Sequence, residues 1–167
     1  KNKNVATGIT AVVVAVSRWL VRWLQEEMGC RNVVWVPNGV PALRGDRARG
    51  RALLGLHENE PLIGYIGGDR EWHDVGVLAR VADAAGARLA LVGKLDTVPG
   101  GAIAPGHLPP QALADVVAAL DVALAPYTAV APPWLCPLKI LDYRAQGTPV
   151  VATDVGDAAA LVEDGGS

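Results

Sequence analysis

The residues of this chain best placed to do chemistry lie in one stretch, Cys136-Pro137-Leu138-Lys139-Ile140-Leu141-Asp142-Tyr143-Arg144-Ala145-Gln146-Gly147-Thr148-Pro149-Val150-Val151-Ala152-Thr153. At 3.6 residues per turn Lys139, Asp142, Tyr143 and Gln146 share one helix face, which puts a cation and a carboxylate within reach of one ligand. Leu138, Leu141 and Ala145 form the apolar stripe beside it. Pro137 suits the first helical position, Gly147 the left-handed residue past the end, and Pro149 blocks continuation. The first turn leaves the amides of Leu138, Lys139 and Ile140 without helical partners, and with the macrodipole these make an anion site.

A second anchor is the run Pro61-Leu62-Ile63-Gly64-Tyr65-Ile66, a buried strand leading into Gly67-Gly68-Asp69-Arg70. Backbone without side chains can approach a phosphate closely there. Such glycines are also ordinary turn punctuation, and neither G-x-G-x-x-G nor G-x-x-x-x-G-K-[ST] accompanies them. His73 can donate to a phosphate or a sugar hydroxyl, or be a solvated loop histidine. The rest of the inventory argues against other chemistries. Ser17 is a helix cap and Ser167 ends the chain, so a serine nucleophile elbow is absent. His57, His73 and His107 are isolated and offer no metal-ligand spacing. No spacing supports Cys136 as a nucleophile with His73 or His107 as its base. Cys30 and Cys136 form no C-x-x-C pair, which fits free thiols in a reducing compartment.

The pattern Pro-Leu-Lys-x-x-Asp-Tyr-x-Ala-x-Gly-x-Pro-Val-Val-Ala-Thr resembles the donor-binding motif of retaining GT-B glycosyltransferases, family 4 (glycosyltransferase group 1). Pro-Asn-Gly-Val at 37–40 and Asp-Val-x-Leu-x-Pro at 121–126 extend the resemblance, which runs from about Ala11 to Gly165. It implies that the chain binds a nucleoside diphosphate sugar as substrate, with no further cofactor and no metal. Asp142 would hold the ribose hydroxyls. Arg70 would be the first diphosphate cation, and His73 would stand in for a Lys-Gly that this chain replaces with Asp74-Val75. Gly67, Gly68, Lys94, Tyr127, Leu138 and Lys139 would line the same cleft, and backbone near His107 and Leu108 would read the base. Helix amides, Arg70 and Lys139 would stabilise the departing diphosphate by fixed positive charge. Trp134 stands eight residues before Asp142, where the family carries a second Glu. The resemblance further implies an N-terminal acceptor lobe and C-terminal return helices outside this chain, no sugar transfer by the chain alone, and room for peripheral membrane association of the full protein. Two other readings stay open, a UDP-sugar 2-epimerase-like domain and a non-catalytic nucleotide-binding module.

The elements that must position these residues follow from periodicity. With 167 residues, 51% of them hydrophobic, and a net charge of −2, the chain is sized for one domain spanning 1–167 and has no basic footprint for nucleic acid. No apolar run approaches the ~18 residues that span a bilayer, which points to a soluble, cytoplasmic protein. The run 11–16 reads as a buried strand, and Ser17 caps a helix from Arg18 to about Met28 whose Trp19, Leu20, Trp23 and Leu24 form a core-facing stripe. Strands follow at 33–36, 61–66, 88–92, 102–109, 121–127 and 148–153, with Pro105 marking the 102–109 strand as an edge. Helices are expected over 46–56, 75–85, 110–120 and 157–163. About seven strands alternating with helices predict one doubly wound parallel sheet of α/β class, Rossmann-like, the C-terminal lobe of a GT-B fold. Ligands of such sheets bind at the carboxyl ends of the strands.

Overall fold

A computed structural model describes residues 11–163. The elements in chain order are β1 (Val13–Ala15), α1 (Arg18–Glu26), β2 (Val33–Trp35), α2 (Arg47–Leu53), β3 (Leu62–Ile66), α3 (Gly76–Ala84), β4 (Arg88–Val92), β5 (Ile103–Gly106), α4 (Pro110–Ala119), β6 (Val122–Ala125), α5 (Leu138–Ala145), β7 (Val150–Ala152) and α6 (Ala158–Glu163). All the strand pairs are parallel. The alternation expected from sequence is therefore present, but the strands divide. Five form one sheet in the order β5-β4-β3-β6-β7, and β1 pairs only with β2. The expectation of a single sheet is corrected on this point. The expected edge strand containing Pro105 is β5, at one margin of the five.

The five-stranded sheet is covered on both faces, and its alternation shows how. Ile63 and Tyr65 of β3, Leu89 and Leu91 of β4 and Leu124 of β6 pack with Leu78 and Ala82 of α3. Leu62, Ala90, Val92, Ala123 and Ala125, one step along each strand, pack on the other side with Val116 and Val117 of α4, Ile140 and Tyr143 of α5 and Leu161 of α6. A period of two thus sends neighbouring apolar residues to opposite cores, which is why these strands read as unbroken apolar runs.

The amino ends of the strands are tied by charge. Arg51, only 2% exposed, donates to the carbonyls of Ala119, His57 and Glu60 and to Asp121, whose carboxylate also accepts from the Leu62 amide at 2.8 Å. One arginine therefore satisfies the chain leaving α2, the start of β3 and the end of α4. Arg49 grips Asp115 through two nitrogens at 2.9 Å each, and this guanidinium holds the Asp115 carboxyl far below the usual range.

Two local expectations fail for tertiary reasons. α1 has its Ser17 cap, which accepts from the Leu20 amide at 3.2 Å, but none of its residues is buried and Trp23 is 37% exposed. The stripe was legible, but the five-stranded core does not lie against it. In α5 the buried residues are Ile140 and Tyr143, whereas Leu138 and Ala145 are exposed. The sheet takes the edge of the helix next to the stripe that periodicity singled out. Among the described residues no helix is long and apolar enough to cross a membrane.

Candidate functional site

Chain order in the five-stranded sheet reverses between β3 and β6: β4 and β5 lie to one side of β3, β6 and β7 to the other. A parallel sheet opens a crevice at the carboxyl ends of its strands where the order reverses. Here β3 and β6 pair only through Ile63 with Val122 and Gly64 with Ala123. Beyond that point the Tyr143 hydroxyl takes over the ladder, accepting from the Ile66 amide at 2.8 Å and donating to the Leu124 carbonyl at 3.2 Å. A fully buried phenol from α5 thus wedges the two strands apart. Tyr143 was expected on the ligand-facing side of α5. Its place is in the core, because only there can its hydroxyl satisfy two backbone groups that the splayed strands leave unpaired.

Anchored by that wedge, α5 presents the residue one turn earlier, Lys139, to the crevice. Its ammonium lies 4.1 Å from the centre of the Tyr65 ring, 5.4 Å from that of Tyr127, and 3.4 Å from His73 Nε2. His73 Nδ1 lies 2.9 Å from the Gly68 carbonyl, which can only accept, so that nitrogen carries the proton. Nε2 is then the acceptor for Lys139, and a neutral imidazole relays between ammonium and backbone. Burial, with the charges of Lys139 and Arg70, pushes the His73 pKa down against the pull of the Gly68 carbonyl. Burial also lowers Lys139 to about 7, and the side chain has no ion pair among the described residues. A desolvated cation held by two aromatic faces and one imidazole lacks an anion.

The glycine loop makes room for this arrangement. Gly67 has φ 149°, and a Cβ there would lie 2.7 Å from the Tyr65 hydroxyl and 3.0 Å from Lys139 Nζ. Gly93, at φ 130°, faces it so closely that a Cβ would stand 2.1 Å from the Gly67 carbonyl oxygen. Only bare backbone fits at both positions. The Leu138 and Lys139 amides at the start of α5 make no bond to the described residues, while the Ile140 amide, expected to be free, donates to the Pro137 carbonyl at 3.1 Å. Tightening of the first turn consumes it.

The structure therefore gathers Gly67, Gly68, His73, Tyr127 and Lys139, with His73 bridged to Tyr127 through backbone. Arg70 is exposed nearby, its guanidinium 6.0 Å from the Trp72 ring, and Lys94 is exposed after β4 with its carbonyl beside Gly68. His107 is exposed after β5, Leu108 packs on the core edge, and Leu138 is 52% exposed. Asp142 is not in this cluster. It lines a separate cleft of about 60 Å³ with Leu43, Leu113, Ala114 and Gln146, and burial raises its pKa. Gln146, expected on the ligand face, instead clamps the segment before α2, accepting from the Gly45 amide at 2.7 Å and donating to the Leu43 carbonyl at 2.9 Å. Sequence reasoning missed Tyr65, which walls the cation. Its position, two residues before the glycine pair on a strand whose alternate residues point the same way, was the available signal.

Three solved structures share this arrangement of elements. Anabaena HepE in complex with UDP-glucose superposes with a TM-score of 0.68 at 19% identity, over 89% of this chain and 46% of that one. Its complex with UDP and glucose gives 0.67 at 19% identity with the same coverage. Sucrose-phosphate synthase from Thermosynechococcus elongatus gives 0.66 at 23% identity, over 87% of this chain and 41% of that one. The chain spans less than half the length of each. A parallel α/β lobe of the GT-B type is the fold these likenesses establish. No curated protein matches this chain significantly. Residues 60–167, more than half of the chain and all of the crevice, match the family model for glycosyl transferases group 1, and the chain belongs to that family.

Proposed function

We propose that this chain is the donor-binding part of a retaining glycosyltransferase, and that the crevice between β3 and β6 holds the diphosphate of a nucleoside diphosphate sugar. The observation that carries the reading is Lys139, a desolvated ammonium without an ion pair among the described residues, at the amino end of α5 and set where the sheet order reverses. When the bond from the sugar's anomeric carbon to the phosphate oxygen breaks, negative charge builds on the departing diphosphate. Lys139, Arg70 and the Leu138 and Lys139 amides are positioned to meet that charge without reorganising, which lowers the barrier electrostatically. His73 keeps Lys139 aimed by accepting its hydrogen. Asp142, in its neighbouring cleft, is assigned to the ribose hydroxyls on the family resemblance alone, and backbone near His107 and Leu108 to the base on the same ground. The UDP and UDP-glucose named in the similar HepE structures make a uridine donor the first to test. The acceptor and the groups that position it belong to sequence beyond the part these structures share with the chain.

Calorimetric titration of UDP, GDP and ADP tests this reading. One of the three should bind, and Lys139→Ala should weaken the diphosphate about tenfold or more while leaving the free nucleoside nearly unchanged. Asp142→Ala should weaken both. Absence of binding by all three at millimolar concentration, or two folded variants with wild-type affinity, would remove the donor-site reading.

A further inference from the structure

The surroundings of Lys139 do more than hold a cation. Three elements face its nitrogen: β3 with Tyr65, the loop after it with His73, and the segment after β6 with Tyr127. The nitrogen lies 3.4 Å from His73 Nε2, and no carboxylate comes within ion-pair distance of it among the described residues. Asp69, the carboxylate of the same loop, is turned to the Asp96 amide, from which it accepts at 2.5 Å. Water stabilises an ammonium strongly, and ring faces replace only part of that hydration. The enclosure therefore favours the free amine, in line with the lowering of Lys139 to about 7 by burial. At pH 8 a solvated lysine is amine in only about one part in 250. Most of Lys139 is amine at that pH.

A free amine beside a proton acceptor is the arrangement that condenses with a carbonyl. His73 supplies the acceptor in a fixed tautomer, since its Nδ1 proton is held by the Gly68 carbonyl at 2.9 Å. Gly67 supplies the room, because a Cβ there would stand 3.0 Å from Lys139 Nζ. The Leu138 and Lys139 amides, without bonds to the described residues, and the exposed Arg70 can meet an anionic group carried by the same molecule. We propose that Lys139 is a reversible modification site, an amine that condenses with a phosphate-bearing aldehyde. In this step the ammonium passes one proton to His73 Nε2, and the nitrogen lone pair bonds the carbonyl carbon, whose oxygen takes a proton from the nitrogen. His73 then gives its proton to the new hydroxyl, the C–O bond breaks, and water leaves a protonated imine on Lys139. Hydrolysis reverses the step with no other reactant. The inference goes beyond the donor-site reading and rests on it for one consequence: while the imine stands, the crevice is closed to a nucleoside diphosphate.

The full chain is incubated with pyridoxal phosphate, with glyceraldehyde phosphate and with unphosphorylated pyridoxal, reduced with borohydride to fix any imine, and mapped by peptide mass spectrometry. Lys94, exposed after β4, is the comparison within the same molecule. At about pH 7.5 label should form on Lys139 about tenfold faster than on Lys94, and pyridoxal should label Lys139 about tenfold more slowly than its phosphate. The rate at Lys139 should rise from about pH 6 and level off above about pH 8. Lys139→Arg keeps a cation that cannot form an imine and should remove the label, and His73→Gln, which cannot carry the proton, should slow it at least about tenfold. The faster of the two phosphorylated aldehydes separates an aromatic occupant from a sugar-derived one. Equal labelling of Lys94 and Lys139, or equal rates with and without the phosphate, overturns the proposal. UDP, GDP and ADP are then added before the aldehyde. If one of them binds by calorimetry and Lys139 takes no label, the modification site falls and the donor reading stands. If Lys139 labels selectively and no nucleoside diphosphate binds or slows the label, the modification site stands and the donor reading falls. Absence of both label and nucleotide binding removes both.

Discussion

Lys139 is a base whose setting disfavours its own charge. Its pKa falls from 10.5 to about 7 through burial, so below about pH 7 folded and unfolded chains both carry the proton and the folded one bears the full desolvation cost. Between about 7 and 10.5 the unfolded chain still binds the proton and the folded chain does not, so this residue makes stability rise with pH across that window. Lys139→Met should therefore stabilise the fold more at pH 6 than at pH 9. The expected difference is about 1–2 kcal/mol, discounted because the side chain keeps some contact with solvent, and denaturant midpoints of both proteins at both values measure it. Binding has the opposite sign. A diphosphate prefers the charged amine, so above about pH 7 its dissociation constant should climb by up to about tenfold per unit, and calorimetry in buffers of different ionisation enthalpy should record proton uptake.

At the scale of elements, α5 packs on the sheet through Ile140 and Tyr143, and among the described residues its hydrogen bonds to the strands pass through one hydroxyl. Tyr143→Phe removes it while keeping the ring, and leaves the Ile66 amide and the Leu124 carbonyl buried without partners. A loss of about 2–4 kcal/mol is expected from two such groups, read from urea unfolding, with diphosphate binding weakened as well because the wedge sets the aim of Lys139. The limits of sequence are clearest in this helix. Its brackets, Pro137 and Gly147, were legible because proline and positive φ are backbone demands met locally, and Gly147 has φ 71°. Its buried side was not, since periodicity defines faces without saying which one the sheet will take. Asp142 was legible as a residue type at a spacing, yet its separation from Lys139 into another cleft depends on where α4 and the segment before α2 come to lie. The same holds for β1 and β2. Their valine-rich runs are written like buried parallel strands, but the choice of partner is a long-range matter, and Val12, Val14, Val34 and Val36 are each about half exposed.

Across the whole molecule the division into two sheets should show in how it opens. Two strands of three residues make few hydrogen bonds and bury little, whereas β3 is flanked on both sides and packed on both faces. Native-state hydrogen exchange should give the Val34 and Val36 amides lower opening free energies than those of Gly64 and Tyr65, and equal protection would mean that the molecule opens as a single unit. The aromatic residues are sorted by type as well. The chain has no phenylalanine; its three tyrosines, Tyr65, Tyr127 and Tyr143, all stand at the crevice, while Trp19, Trp23 and Trp35 belong to β1, α1 and β2 and their connections, and Trp72 and Trp134 line an open cavity beside the crevice. The phenols are thus one spectroscopic class confined to the crevice, and because indoles absorb across the phenol band as well, excitation at the red edge of the absorption reports the tryptophan territory alone, while the difference between the two excitations carries what the crevice tyrosines pass on to it.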